Sequence, residues 1–235
     1  MSSGPAHAVR SRLGRRAVRR LGWLAGAPLA IFRFLRRTMP VVEIDPDELP
    51  PPLPEQEPDP AHREDELAVS APLHRLYRTT IRHPELTAEQ LMAVIAADPN
   101  VTAPTEVLRF EKTGAADDDL RVGDELLIRM AGPWNGPVEV TRRWESGLAL
   151  AAVRGHPQLG QMEIRAHDEA DGIGVEIQTR ERAAGWSFEL LQRIGLIRRM
   201  QSYTWVSMLE NAAQLAGGRP PERVTVRSWR NGAPA

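Results

Sequence analysis

The sequence predicts an α+β fold in which a curved antiparallel sheet of about seven strands surrounds one long C-terminal helix. Three observations support this prediction. Polar and apolar residues alternate with a period of two in six segments after Pro104, a capping box starts a short helix before them, and apolar residues repeat with a helical period near the C-terminus. Alternation of this kind is typical of an antiparallel sheet with one apolar and one solvated face.

The first predicted elements are a strand and a short helix. The segment from Leu73 to Ile81 contains residues that favour strands, so we expect a strand there. Thr87-Ala88-Glu89-Gln90 then matches a capping box, in which Thr87 and Gln90 satisfy backbone donors at a helix start. The apolar stripe that follows predicts a helix that ends near Asp98.

The six segments with period-two alternation are the predicted strands of the sheet. They cover residues 106–113, 123–131, 137–145, 147–154, 160–168 and 173–182. In the last of them, Ile173, Val175 and Ile177 alternate with Glu176 and Gln178. Short connections rich in Gly, Asp and Pro separate the segments, and this spacing predicts a meander.

A long amphipathic helix is predicted over residues 187–215, followed by Gly217-Gly218 as a stop signal. Its apolar stripe consists of Leu190, Ile194, Ile197, Trp205, Met208, Ala212 and Leu215. A helix of this length spans about 43 Å, enough to cross a whole curved sheet. A strand, a helix, six antiparallel strands and one long helix form the helix-grip arrangement, which often encloses a cavity.

Charge divides the chain into parts. Residues 1–42 carry nine arginines and no acid, whereas residues 43–66 carry ten acids and one arginine. Eight prolines between Pro40 and Pro60 prevent regular structure in the acidic stretch. We therefore expect an Arg-rich amphipathic and apolar segment at 1–42, a disordered acidic linker at 43–70, the helix-grip domain at 71–217 and a C-terminal tail at 218–235.

The Arg-rich segment contains an apolar run from Leu21 to Phe32. As a helix, these twelve residues would span about 18 Å, which is shorter than the roughly 30 Å hydrocarbon core of a bilayer. Two interpretations remain open: a segment that lies on an anionic membrane surface, and a disordered leader without a partner. In the first, the expected membrane-binding residues are Arg15, Arg16, Arg19, Arg20, Trp23 and Phe32.

The first interpretation places the protein in the cytoplasm, peripherally on the inner face of the membrane. A specific nucleic-acid partner is not expected, because the basic run is short and the predicted domain carries no positive excess.

Several classes of site are absent from the sequence. Without cysteine, the chain has no disulfide framework, no thiolate metal site and no cysteine nucleophile. Motifs for serine hydrolases, zinc proteases, phosphate loops and dinucleotides are missing, and the six histidines show no close metal-ligand spacing. We therefore expect neither a metal nor a cofactor, and we favour a binding domain over an enzyme without excluding the enzyme.

Gln201 interrupts the apolar stripe of the predicted long helix, between Ile197 and Trp205. A buried amide without a partner costs about 1–3 kcal/mol, so this side chain must bond to something. The partner is either a ligand or ordered water in a cavity, or a backbone group of the sheet. Tyr203 lies off the stripe, and we expect it at the surface.

Three further side chains each allow two interpretations. His156, in the turn Gly155-His156-Pro157, either contacts a ligand and donates a proton at the mouth of the grip, or bonds to backbone and caps the hairpin. Trp134 either presents its indole to a ligand or plugs one end of the barrel. Arg180 belongs to a charged run with Glu181 and Arg182 at a strand end, and such a run is usually solvated.

Three stretches resemble a bacterial and plant family, the domain of unknown function numbered nineteen-ninety. They are Gly132–Val138, Gly155–Gln161 with its Gly-His-Pro turn and following Gly160, and Glu176–Arg180. The resemblance covers about residues 73–217, although Gln161 stands where an acid is expected. It implies a fold of the START-like, polyketide-cyclase-like helix-grip superfamily, and it implies no established activity.

Our leading hypothesis is a non-enzymatic domain that binds a small hydrophobic or lipid-like ligand in the grip cavity. Its expected ligand-binding residues are Gln201, Trp205, His156, Trp134 and Arg180. The alternative is a cyclase- or hydrolase-like enzyme that acts on a hydrophobic substrate through His156 and acids of the cavity. A third possibility is a packed scaffold without a guest, which interacts through its first 66 residues.

Overall fold

The structure is a computed structural model that describes residues 41–43, 72–113, 119–130, 135–183, 195–219, 223–230 and 233–234. The strands are β1 (Val41–Glu43), β2 (Leu73–Arg82), β3 (Leu108–Lys112), β4 (Glu125–Met130), β5 (Asn135–Trp144), β6 (Gly147–Ala152), β7 (Gln158–Glu169), β8 (Gly172–Ala183), β9 (Val224–Arg230) and β10 (Ala233–Pro234). The helices are α1 (Ala88–Ala97) and α2 (Leu196–Leu215), and a 3-10 turn, Pro99–Val101, follows α1.

The strands form one sheet in the order β1-β9-β2-β8-β7-β6-β5-β4-β3, with β10 beside β9. Strands β3 to β8 are consecutive antiparallel neighbours, which confirms the predicted meander. Strand β2 joins β8 in antiparallel pairing over its whole length. With α2 packed against this curved sheet, the chain has the predicted helix-grip fold.

The sheet extends beyond the expected domain limits of 71 and 217. Strand β9 pairs with β2 between His74 and Arg78, and β1 pairs with β9 in parallel. Residues 224–230 were expected in the tail, and Glu43 in the linker. The limits are therefore too narrow, because a seven-residue strand with only Val224 and Val226 as its buried aliphatic residues carries a weak alternation signal.

Helix α2 is shorter than predicted, with twenty residues and a length of about 30 Å. Gly195 precedes it with a φ of +77°, in the left-handed region. A right-handed helix cannot continue through a residue in that conformation, so the prediction of one helix over 187–215 is wrong at this point. Residues 187–194 lie outside the described residues. The predicted end is confirmed, since Gly217 (φ +71°) follows the last turn.

Helix α1 begins with the predicted capping box. The Thr87 hydroxyl accepts from the Gln90 backbone N–H at 3.2 Å, and the Gln90 side chain accepts from the Thr87 N–H at 3.0 Å. The first turn is attached to the sheet because the Ala88 N–H donates to Asp168 Oδ1 at 2.9 Å. The buried side chains of α1 are Ala88, Leu91, Met92, Ile95 and Ala96.

Alternation along each strand separates two faces of the sheet. We call the face that contacts α2 the inner wall and the opposite face the outer wall. The buried aliphatic side chains of the inner wall include Ile81, Leu126, Val138, Val140, Leu148, Leu150, Ile164, Ile173, Val175 and Ile177. A register shift between Val140 and Arg142 interrupts β5, and such bulges increase the local bend and twist of a strand.

Candidate functional site

Polar residues occupy the inner wall where β2 begins and β8 ends. In the register of these strands, Arg75 lies opposite Thr179, and Leu73 lies opposite Glu181. Because alternate residues share a face, Arg75, Tyr77, Thr179 and Glu181 all belong to the inner wall. We call the following set the polar end of the grip: Arg75, Tyr77, Gln158, Thr179, Glu181, Gln201, Ser202 and Trp205.

Arg75 lies at the centre of the polar end, with only 1% of its surface exposed. Its Nη1 donates to Tyr77 Oη at 3.1 Å, to the backbone carbonyl of Arg198 at 3.3 Å, and to Gln201 Oε1 at 3.3 Å. All three acceptors are uncharged. Within the described residues, Nε of the same guanidinium is buried without a hydrogen-bond partner.

Gln201 connects the helix to the sheet. Its Oε1 accepts from Arg75, and its Nε2 donates to Gln158 Oε1 at 3.1 Å and to Glu181 Oε2. Gln158 Nε2 donates to the same carboxylate at 3.2 Å. The amide therefore lies between a buried cation and a buried anion, and its contacts are side chains rather than the backbone group of the sheet that was the second expected partner.

Tyr77 is fully buried beside Arg75. Its hydroxyl accepts from Arg75 and lies 3.4 Å from Ser202 Oγ on α2. Burial raises the pKa of Tyr77 because the phenolate would lose its hydration, and the charge of Arg75 only partly opposes this effect. The side chain therefore remains a neutral phenol that orients the guanidinium.

Polar atoms of Thr179 and Trp205 are also buried without a partner in the described part of the chain. They are Thr179 Oγ1, opposite Arg75 on β8, and Trp205 Nε1 on α2. Trp205 follows Gln201 by one helical turn, so both residues lie on the same face of the helix. Its ring is partly buried against the apolar core. The structure therefore brings together Gln201 and Trp205, two of the predicted ligand-binding residues.

His156 is mostly buried in the turn before β7. Its Nδ1 lies 2.6 Å from the Gln158 carbonyl oxygen and 3.0 Å from the Gln158 nitrogen, which is the contact expected of a hairpin cap. Burial lowers the pKa of His156 to about 4, so the ring is neutral at pH 7. The ring is therefore not a charged proton donor at that pH, and its contact with a ligand stays a prediction.

The remaining predicted residues are not placed at the polar end. Arg180 follows Thr179 and so belongs to the outer wall, where it lies near His74 and contributes to the lowered pKa of that histidine. Burial is the larger cause of that lowering. Trp134 lies outside the described residues, as do the predicted membrane-binding residues Arg15, Arg16, Arg19, Arg20, Trp23 and Phe32.

Two expectations about exposure are wrong. Glu181 belongs to a run that was expected to be solvated, yet it is 7% exposed on the inner wall. Tyr203, expected at the surface, is buried, and its hydroxyl donates to Glu106 at 3.0 Å. Glu181 is buried because strand alternation places it on the inner wall beside Gln201. Tyr203 is buried on a second face of α2, near Glu106, which the single apolar stripe did not predict.

Sequence reasoning also missed Arg75 and Thr179. A signal was present in the period-two pattern, because Leu73, Tyr77 and Ile81 have the same parity as Arg75. A charged residue inside an otherwise apolar row marks a polar side chain on a buried face.

Two kinds of feature are absent from the described ranges. No group of three His, Asp or Glu side chains there could hold a metal ion. In the same ranges, no helix has both the length and the hydropathy needed to cross a membrane.

No family model matches the chain, and no curated protein matches it in sequence. Similar solved structures include a protein from Nitrosomonas europaea, with 12% identity, 61% of this chain and 93% of that chain covered, and a TM-score of 0.42. Another is the di-domain ARO/CYC protein StfQ from the steffimycin biosynthetic pathway, with 9% identity, 63% and 51% covered, and a TM-score of 0.47.

A third is truncated norcoclaurine synthase from Thalictrum flavum, with 13% identity, 63% and 94% covered, and a TM-score of 0.43. The fold is established by the strand order of this chain itself. Identities this low say nothing about its activity or ligand.

Proposed function

We propose that this chain is a ligand-binding helix-grip domain whose guest lies between α2 and the inner wall. One observation carries the proposal: Arg75 Nε, Thr179 Oγ1 and Trp205 Nε1 are buried, polar and without partners among the described residues. An unsatisfied buried donor costs about 1–3 kcal/mol, and native proteins keep few of them. A guest that bonds to these atoms removes that cost.

The guest is small and hydrophobic or lipid-like. Beyond the polar end, the buried side chains of the inner wall from β4 to β8 are mainly aliphatic, and Arg75, Thr179 and Trp205 lie at one end of this surface. Ligand sites in proteins are typically apolar surfaces with a few polar groups that fix the orientation of the ligand. This arrangement orients a guest with its polar group at Arg75 and its apolar part along the sheet.

The hydrogen bonds of Gln201 hold the side chains of the site in place before a ligand binds. Gln201 holds Arg75 on one side and Glu181 on the other, so neither side chain is free to rotate. Preorganised groups bind more tightly because less conformational entropy is lost on association. Gln201 is therefore a positioning residue for Arg75 in this proposal.

The proposal includes membership of the domain-of-unknown-function family numbered nineteen-ninety, which implies a bacterial or plant source. The conformation of Gly160, in its most distinctive motif, supports this assignment. Gly160 has a φ of +146°, and a Cβ there would lie 1.9 Å from the Arg180 carbonyl oxygen. The fold thus demands glycine at a position that the family motif specifies.

A cytoplasmic, peripheral position on an anionic membrane is the second part of the proposal. It rests on the Arg-rich, partly apolar composition of residues 1–42. The full chain should co-sediment with vesicles that contain anionic lipid and should bind neutral vesicles weakly. Deletion of residues 1–40 should abolish that binding, and unchanged binding after the deletion would refute this part.

Native mass spectrometry of the full chain, purified without detergent or organic solvent, tests ligand binding. We expect a population heavier than the chain by the mass of one small molecule, which denaturation releases. The matched control is Thr179→Trp, which fills the polar end and should carry less of this species. Protein that never binds an apolar small molecule, either from cells or when one is added, would contradict the proposed function.

A further inference from the structure

Resting on the proposed function, we propose that the guest is an amphipathic carboxylic acid whose carboxylate binds the Nε–Nη2 edge of Arg75. The first observation is the arrangement of hydrogen bonds at this guanidinium. The three hydrogen bonds of Arg75 all leave from Nη1, toward Tyr77, the Arg198 carbonyl and Gln201. These bonds fix the plane of the guanidinium and leave another of its edges for a ligand.

The free edge has the geometry of a carboxylate site. Nε and Nη2 present two parallel N–H bonds, which match the two oxygens of a carboxylate. Nε is buried without a partner, and none of the ion pairs among the described residues includes Arg75. A cation that is 1% exposed normally has an anion beside it, because burying a lone charge is unfavourable. A bound carboxylate would supply an anion in direct contact, whereas the Gln201 amide separates Arg75 from the Glu181 carboxylate.

The other atoms without partners restrict the guest in the same direction. The indole N–H of Trp205 and the guanidinium N–H groups can only donate hydrogen bonds, and the Thr179 hydroxyl can donate as well. Thr179 lies opposite Arg75, so a group that bonds to both side chains must accept at least two hydrogen bonds at once. A carboxylate has about four acceptor positions, whereas an alcohol offers two and competes with its own proton.

A singly charged carboxylate fits better than a phosphate. Glu181 is buried at the same end of the grip and shares the Gln201 amide with Arg75. A phosphate that carries close to two negative charges would place excess negative charge beside Glu181 in a site with one buried arginine. Uncompensated charge of this kind is costly in a poorly hydrated interior.

Isothermal titration calorimetry on the full chain, after removal of bound lipid, tests the inference with matched probes. One pair is dodecanoate and 1-dodecanol, and the other is 2-naphthoate and 2-naphthol. At pH 7.5 we expect the carboxylate of at least one pair to bind at least ten times more tightly than its alcohol. Dodecyl phosphate should bind more weakly than dodecanoate.

Three variants test which side chains cause the preference for the carboxylate over the alcohol. Arg75→Lys keeps the charge but loses the parallel donors, and it should weaken carboxylate binding at least fivefold while leaving alcohol binding unchanged. Thr179→Val removes a hydroxyl without a protein partner, so it should keep or raise the Tm and still weaken carboxylate binding about threefold. Arg165→Lys on the outer wall is the matched control and should bind like the unmodified chain.

The outcomes distinguish the two proposals. Equal affinity for acid and alcohol in both pairs, or unchanged carboxylate affinity in both Arg75→Lys and Thr179→Val, would overturn the carboxylate while leaving a hydrophobic ligand site. If no probe binds and native mass spectrometry shows no guest, the proposed function fails as well. A folded Thr179→Val variant keeps the test valid even if Arg75→Lys does not fold.

Discussion

The arginines of the two walls are partnered differently. On the outer wall, Arg165 contacts Glu176 at 2.6 Å and Glu163 at 3.6 Å, and Arg142 contacts Glu163 at 2.7 Å while stacking on a tryptophan ring. On the inner wall, the three hydrogen-bond partners of Arg75 among the described residues are neutral oxygens. The same residue type thus has carboxylate partners on one wall and only neutral partners on the other.

Exposure makes this difference informative. The side chains of Arg165 and Arg142 are 40% and 53% exposed, so solvent screens their ion pairs and each pair contributes little to stability. Arg75 is 1% exposed, so its charge has lost its hydration without an ion pair in the described structure. The exposed pairs of the outer wall therefore add little to stability, whereas the buried Arg75 is the residue at which we propose that a ligand binds.

The largest expected loss of stability follows from a substitution at Gly160, where β7 and β8 approach closely. In Gly160→Ala, the new Cβ would meet the Arg180 carbonyl at 1.9 Å, so β7 and β8 must separate beside Glu181. We expect a loss of about 3–5 kcal/mol in the free energy of unfolding, measured by urea denaturation.

Gly123→Ala is its control, because Gly123 also has a positive φ (+89°) but nothing lies within 4 Å of the added Cβ. It should cost about 1 kcal/mol, the backbone contribution alone. If both variants lose the same free energy of unfolding, the close contact between β7 and β8 contributes nothing to the effect at Gly160.

Removing the amide between the buried charges should have the next largest effect. Gln201→Leu deprives Glu181 and Arg75 of a hydrogen bond each, and bonds to charged groups contribute about 1.5–3 kcal/mol. We expect a total loss of about 3 kcal/mol by urea denaturation. Gln214→Leu, an exposed substitution on the same helix, should change stability by less than about 0.5 kcal/mol. A similar result for both variants would mean that the polar end is effectively solvated.

A third prediction concerns pH and the turn that contains His156. Its pKa falls from 6.5 to about 4 on folding, so the unfolded chain binds more protons between these two values. The free energy of unfolding should therefore rise with pH between 4 and 6.5. On acidification through the same window it should fall by about 2 kcal/mol, which is less than the full pKa shift would give because solvent reaches part of the ring.

His156→Asn should reduce this slope when urea midpoints are compared at pH 4.5 and 7. Some slope of the same sign should remain, because burial also lowers the pKa of His74. A slope identical to that of the unmodified chain would place His156 in solvent.

The smallest effect is expected on the outer wall. Arg165→Met removes a 40% exposed partner of Glu176, which keeps Arg78 at 3.4 Å. We expect a change below about 1 kcal/mol in the free energy of unfolding, and a smaller one still in 0.5 M salt. A loss above about 2 kcal/mol would show that the ion pairs of the outer wall contribute as much to stability as the hydrogen bonds of Gln201.

Much of the fold was predictable from local patterns. The predicted strands from β3 to β8 end within two residues of the observed ones, and the capping box of α1 is present. These patterns arise because a half-buried strand needs apolar side chains at alternate positions and a helix start needs acceptors for its free N–H groups. Strand β9 was missed because Val224 and Val226 are its only buried aliphatic residues, so its alternation is weak.

The candidate site was predictable only in part. Gln201 and Trp205 were found because one residue breaks an apolar stripe and the other belongs to it. Arg75 and Thr179 were missed because each looks like an ordinary polar residue until the register places them opposite each other. Arg180 was expected among them, but it belongs to the other wall, one residue away from Thr179.

The sequence alone determined strands β2 to β8 and helix α1, since the periodicities of 2.0 and 3.6 are local properties of the chain. Only the tertiary structure decided which polar residues are buried together, because that depends on strand register and on where α2 crosses the sheet. A shift of one residue in β2 would turn Arg75 outward, so its parity in β2 indicated a buried face but only the register placed it opposite Thr179.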